Sequence, residues 1–278
     1  MFKFTTPQWT VVCVILLILN ISSHSKAQNI WLADTANSIS LEFLKPSFVN
    51  ENSSFLTGTY FLSARLNLSK SVNRLYNLNI QVPVSHIKFD DNFLGDDVQT
   101  ALGNISISMD FRKRSNKFSY EVGVILPTVD EENSLSNFGG VYSDFLRFES
   151  FTPDLLYLYN GFNYRKSLDE KVDVRIRSGA SVFIDNGERQ DESELFLDYG
   201  LQLQYNGNDW LFQLGLTGRY WMTPDEGSDD NFANQFTFGL KYGSGKLRPG
   251  LTLRLPASDN IDSIVDSVVG VNVTLQLY

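Results

Sequence analysis

The sequence predicts an all-β fold: a transmembrane antiparallel up-and-down β-barrel of about twelve strands, after an N-terminal signal peptide. Three observations predict it. Apolar and polar residues alternate with a spacing of two in segment after segment. Many segments run to roughly 10–13 residues, whereas soluble strands average about 5–6 and a tilted membrane strand needs roughly 9–11. The links are short and long in turn, which gives an even strand number and puts both chain termini on the periplasmic side.

Residues 1–27 read as the signal peptide. Lys3 precedes the apolar run Val11–Leu19, and Ser25 and Ala27 suit a cut before Gln28. That run is shorter than the roughly 20 residues of a spanning helix, and no later segment reaches that length. Residues 28–278 then form the barrel. The only cysteine, Cys13, leaves with the leader, so the mature chain makes no disulfide. Loss of Lys3 and Lys26 takes the net charge from −9 to −11. So acidic a chain is unsuited to nucleic acid, where affinity comes from neutralising phosphates.

Strand by strand, the alternation is clearest at 72–84, where Tyr76, Leu78, Ile80 and Val82 oppose Asn77, Asn79 and Gln81. Residues 172–184 set Val172, Val174, Ile176 and Val182 against Asp173, Arg175, Arg177 and Ser181. Residues 195–205 set Leu197, Leu201 and Leu203 against Asp198, Gln202 and Gln204. Trp210, Phe212, Leu214 and Tyr220 oppose Gln213, Thr217 and Arg219. Weaker copies fall near 38–45, 55–68, 101–112, 117–126, 153–166, 233–243, 246–256 and 267–278. Short turns follow at 69–71, 113–116, 167–170, 206–209 and 243–245. Longer, polar, acidic links follow near 46–54, 85–100, 127–152, 185–194, 222–232 and 257–266, and these are expected outside the cell. The last segment is a seam strand that pairs with the first and abolishes the sheet edge.

A soluble sandwich would show the same period. Strand length, the leader and aromatic residues near strand ends favour lipid. Tyr157, Tyr159, Tyr164, Trp210, Tyr220, Trp221 and Tyr242 are expected in the two interfacial girdles. The mean hydropathy of −0.15 suits a barrel with a polar interior.

Three short motifs carry a family resemblance. Leu78–Val84 ends in a hydrophobic-Pro pair, Ala101–Ser108 contains Leu102-Gly103-Asn104, and Val124–Thr128 ends in Leu126-Pro127-Thr128. Together they resemble a putative outer-membrane transporter family named for the meta-pathway of phenol degradation. Val129 stands where that family usually has Gly. The resemblance spans roughly residues 38–278 and implies a channel or transporter, with hydrophobic compounds as one class of solute. It implies no catalytic residue.

His86 is the one histidine of the mature chain, at the start of a predicted loop beside Ser85, Asp90 and Asp91. Hydrolase chemistry would need nucleophile and base within hydrogen-bond reach, which neighbours on one loop do not supply. Loop decoration is the plainer reading of His86, and the chain implies no cofactor and no His-rich metal site. Acidic clusters at 90–91, 96–97, 130–132, 191–194 and 225–230 suit solvated loops, or cations shared with lipopolysaccharide.

The predicted lumen face carries Arg65, Arg112, Arg175, Arg177, Arg219, Lys241, Arg248 and Arg254, with Asp110, Glu121, Asp173 and Asp198. Two outcomes follow for them: a charged constriction that selects solutes, or crossed ion pairs that fill a narrow barrel. The expected function is passive passage of small solutes across the outer membrane. The alternatives are a surface protein whose acidic loops bind cations, lipopolysaccharide or a partner, and, last, an outer-membrane hydrolase. Membrane lipid is a partner under all three, and the number of copies in the assembly stays open.

Overall fold

Alternation of apolar and polar residues gives a sheet two unlike faces, and a closed sheet turns one face outward and one inward. The computed structural model describes residues 37–49, 55–69, 73–89, 98–113, 117–185, 193–223, 231–243 and 245–277. The proposed signal peptide lies outside them.

Strands β1 (Ser38–Phe48), β2 (Phe55–Asn67), β3 (Arg74–Phe89), β4 (Val98–Leu102), β5 (Ile105–Lys113) and β6 (Phe118–Leu126) form the first half. Strands β7 (Leu155–Ser167), β8 (Val172–Asp185), β9 (Glu194–Asn206), β10 (Trp210–Trp221), β11 (Phe232–Tyr242), β12 (Leu247–Pro256) and β13 (Val265–Gln276) form the second. Helix α1 (Ser134–Ser143) lies between β6 and β7, and the short α2 (Asp259–Asp262) between β12 and β13. No helix among the described residues is long and apolar enough to cross a membrane.

Every pairing is antiparallel, and β1 pairs with both β2 and β13, which closes the ring. β4 and β5 both pair with β3 and occupy one position, interrupted at Gly103-Asn104. The ring therefore has twelve positions. The strands match the segments read from the sequence, with β3 extended to Phe89 and the following strand beginning at Val98. His86 consequently sits within β3, where it was expected on a loop. Its Nδ1 lies 2.8 Å from Thr100 Oγ1 on the outer face, while Ser85 is buried on the inner one. The two side chains thus leave opposite faces of one strand, and no Ser–His pair forms there. Asp90 and Asp91 lie outside the described residues.

The outer face exposes Leu41, Leu62, Ile176, Leu201, Leu214, Phe238, Leu253 and Val271, a surface that water would not leave bare. Aromatic pairs flank it. Trp210–Tyr242 and Phe118–Tyr164, with ring centroids 4.6 and 4.9 Å apart, sit toward the short turns. Tyr220–Phe232, at 4.7 Å, sits toward the long links. Tyr157, Tyr159 and Trp221 do not join these girdles: they point into the barrel. The stretch Leu155–Tyr159 is apolar at every position, so period two gives no phase there, and the partners across the lumen decide.

A charge in the lipid-facing band has no partner. Leu201→Arg, near the middle of β9, is expected to lower folding stability in bilayers by about 2–4 kcal/mol. Equilibrium unfolding from lipid vesicles, followed by heat-modifiable gel mobility, measures it.

Candidate functional site: a lumen occupied by the link between β6 and β7

The link from Pro127 to Asp154 was expected as an external, polar loop, and it folds into the barrel instead. Its sequence explains why. Phe145-Leu146-Arg147-Phe148-Glu149-Ser150-Phe151 interleaves apolar and charged residues, and all but Phe148 are buried. Phe151 packs with inward-facing Leu44, Phe61, Val265 and Val268. Phe148 packs against a second inward cluster containing Phe183 and Phe196, at 5.1 and 6.4 Å between centroids. The lumen is thus apolar toward the long links, where the segment docks, and polar toward the short turns.

The backbone of the link is clasped to the wall at the break between β4 and β5. Asn104 is fully buried, and its Nδ2 donates to the carbonyls of Glu149 and Thr152 at 2.8 and 2.6 Å. Its Oδ1 accepts from the N–H groups of Thr128 and Val129 at 2.7 and 2.9 Å. Its own N–H donates to Ser150 O at 2.7 Å. Gly103 N–H donates to Pro83 O at 2.9 Å, and Thr128 Oγ1 donates to Gly103 O at the same distance. A Cβ at Gly103 would lie 2.4 Å from Ser150 O, so only glycine lets the link approach this closely. The three sequence motifs that carry the family resemblance therefore meet at one clasp.

Ion pairs fasten the link elsewhere. Glu42 accepts from Arg147 Nη2 at 2.8 Å and from Arg254 Nη2 at 2.7 Å. Asp144 accepts from Arg147 Nε at 2.6 Å and also from Arg254. Two carboxylates and two guanidiniums thus neutralise one another across β1, β12 and the link. Arg147 also stacks on Phe61, 3.5 Å from the ring centroid. On the other side, Arg219 Nε meets Asp198 at 2.7 Å, Nη1 meets Glu149 at 3.0 Å and Nη2 donates to Tyr157 Oη at 2.9 Å. Burial pushes the Glu149 carboxyl above the usual carboxylate range, although Arg219 opposes it. Burial acts on Asp144 in the same sense, but Arg147 and Arg254 outweigh it and hold its carboxyl low.

Three more pairs lie wholly in the wall. Arg177 meets Glu121 at 2.9 Å, and Arg65 meets Asp110 at 2.7 Å. Asp173 binds Arg165 at 2.7 Å near the short-turn end. All twelve residues expected on the lumen face lie on the inward side of their strands, but the structure divides them. Arg65, Asp110, Glu121, Arg177, Asp198, Arg219 and Arg254 enter the ion pairs around the link. Arg112, Asp173, Arg175 and Arg248 sit toward the short turns, and Lys241 lines the space beneath the link. Glu42, Asp144, Arg147 and Glu149 complete the site and are missing from the sequence reading, and Tyr157, expected in a girdle, joins them. Glu42 could have been noticed as the one acid within the first strand.

Below the link remains a cavity of about 210 Å³. Leu146, Arg147, Glu149 and Ser150 form part of its wall, with Tyr157, Tyr159, Arg177 and Arg219 from the strands. Tyr159 lies flat over Gly123, where a Cβ would come within 2.3 Å of its ring. Among the described residues, no group of three or more His, Cys, Asp or Glu is placed to hold a metal ion. The acidic cluster at Asp130–Glu132 opens a short 3-10 turn, and the other acidic clusters lie outside the described residues, apart from residues at their edges.

If Asn104 fastens the link, Asn104→Ala should release it while the ring stays folded. Limited proteolysis of the detergent-solubilised barrel should then cut between residues 127 and 154, where the parent resists. Equal resistance in both would place the fastening elsewhere.

Comparisons with known proteins bear on the fold. No protein-family model matches the chain, and no curated protein does. Solved structures do match. The COG4313 outer membrane channel from Pseudomonas putida F1 is similar at a TM-score of 0.64 and 13% identity, over 91% of this chain and 100% of that one. The NanC porin gives 0.50 and 8%, over 87% and 100%. LpxR from Salmonella typhimurium gives 0.51 and 9%, over 87% and 100%. At these identities the likeness is one of architecture: the chain has the outer-membrane β-barrel fold.

Proposed function

We propose that the protein is a channel of the bacterial outer membrane, exported by cleavage after residue 27, through which small polar solutes pass passively. The observation that carries this reading is a cavity of about 210 Å³, lined mainly by residues with hydroxyl, amide or charged side chains, inside a complete ring of strands. Its wall offers hydrogen bonds along the barrel axis, and the apolar outer face supplies insertion. The shared architecture with barrels named as a channel and a porin supports it. So does the motif resemblance to a putative transporter family. The polar wall favours polar solutes over the hydrophobic compounds which that resemblance also implies. The link between β6 and β7 narrows the path, and its ion pairs set how readily the path opens. The barrel performs no catalysis in this reading, and lipid and lipopolysaccharide are its surroundings.

Planar-bilayer conductance tests the proposal directly, and a purified, folded barrel that carries no current would end it. The ion pairs also predict a pattern. Glu121→Gln leaves the Arg177 guanidinium without its carboxylate and should shift reversal potentials toward anions. Arg177→Gln leaves Glu121 and should shift them toward cations. Identical potentials in parent and variants would remove both residues from the conducting path.

A further inference from the structure

Eight of the charged residues that line the cavity take part in ion pairs already described. They are Glu42, Arg65, Glu121, Arg147, Glu149, Arg177, Asp198 and Arg219. The ninth, Lys241, is buried and engaged within the protein as well. A charge neutralised at 2.7–3.0 Å presents little more than a dipole to a solute farther off. An ion entering this space loses water and finds eight of the nine charges already matched.

The rest of the wall is of another kind. Ser63, Ser106, Thr252 and Thr274 bring hydroxyls to it, and Asn79 and Gln81 bring amides; Gln81 donates to Ser63 and Asn79 to Ser108, each at 3.0 Å, and Asn79 accepts from Arg65 at 3.0 Å, which leaves the second N–H of each amide for a solute. Asn272 also lines the cavity and is more than nine-tenths buried. Its Nδ2 donates to Thr252 at 3.3 Å, while its Oδ1 has no hydrogen-bond partner among the described residues. The half-buried Tyr159 side chain adds aromatic surface to the same wall. Hydroxyls, amides, planar Arg–carboxylate pairs and an aromatic ring together match a solute with several hydroxyl groups on an apolar ring. The cavity is smaller than the roughly 300–1,000 Å³ that holds drug-sized ligands, which limits that solute to a small one.

We propose that the cavity takes uncharged, polyhydroxylated solutes of monosaccharide size in preference to ions of the same size. The proposal rests on the channel reading and names its substrate class. The sequence left a charged constriction and crossed ion pairs both open, and this reading takes the second.

The test uses the full barrel in phospholipid vesicles free of lipopolysaccharide, so that the added solute is the only sugar present. Efflux of labelled glucose, gluconate and glucosamine is followed at trace concentration, beside ion conductance of the same preparation. Glucose is expected to leave faster than either charged analogue by about threefold or more, the worth of one hydrogen bond or so. Thr252→Val with Thr274→Val keeps side-chain shape and removes two hydroxyls. It should slow glucose by about threefold or more and slow the two charged analogues less. Gluconate or glucosamine leaving as fast as glucose would overturn the substrate class while the channel stands. Conducting vesicles that release none of the three would do the same. An equal slowing of all three solutes in the double variant would overturn the assignment of this wall as the binding surface. Absence of both efflux and conductance would overturn the channel reading and this proposal together.

Discussion

Lipid offers no hydrogen bonds, so a strand in it must find a partner along both edges. Everything else in this protein follows from meeting that requirement with one sheet. The ring closes only where β1 meets β13, from Ser38 opposite Gln276 to Phe48 opposite Val265. With the edge gone, the outer face is free to be apolar, and the inner face must do something with polar side chains in a confined space. The structure answers with carboxylates and guanidiniums matched in small groups, and with a link that brings three of the charges itself.

The inward-folded link makes the interior two different environments. Toward the long links, Phe151 and Phe148 complete apolar clusters that the wall alone leaves open. Toward the short turns, the same segment presents Arg147 and Glu149 to a polar chamber. A buried ion pair gains little net stability, because desolvation offsets attraction, but an unmatched buried charge costs about 3–5 kcal/mol. The pairs therefore act mainly to define one position for the link. The Asn104 clasp adds neutral hydrogen bonds to both of its ends.

Strands were legible in the sequence because two-residue alternation survives almost untouched, as in Val172–Ile184 and Leu195–Tyr205. The inward direction of Arg177, Asp198 and Arg219 follows from that phase. The phase fails where both faces are apolar, and so Tyr157 and Tyr159 were expected in lipid although they face inward. The link was illegible for a different reason. Its helix α1 is ten residues long and faces wall on one side and loop on the other, so it shows no clean helical stripe. Its docking depends on pairs such as Glu42–Arg147, 105 residues apart, and spacing in sequence carries no trace of such contacts. Phe145–Phe151 held the signal, with four large apolar residues among seven, too many for a solvated loop.

A cylinder of twelve thin strands is easily flattened, since bending the sheet between neighbouring strands breaks no hydrogen bond. The segment Asp144–Phe151 touches β1 and β12 at one end and β8, β9 and β10 at the other. It works as a cross-brace, holding distant parts of the wall at a fixed separation. The shape of the bore is then set from within, and a membrane that squeezes the barrel laterally must first compress that strut.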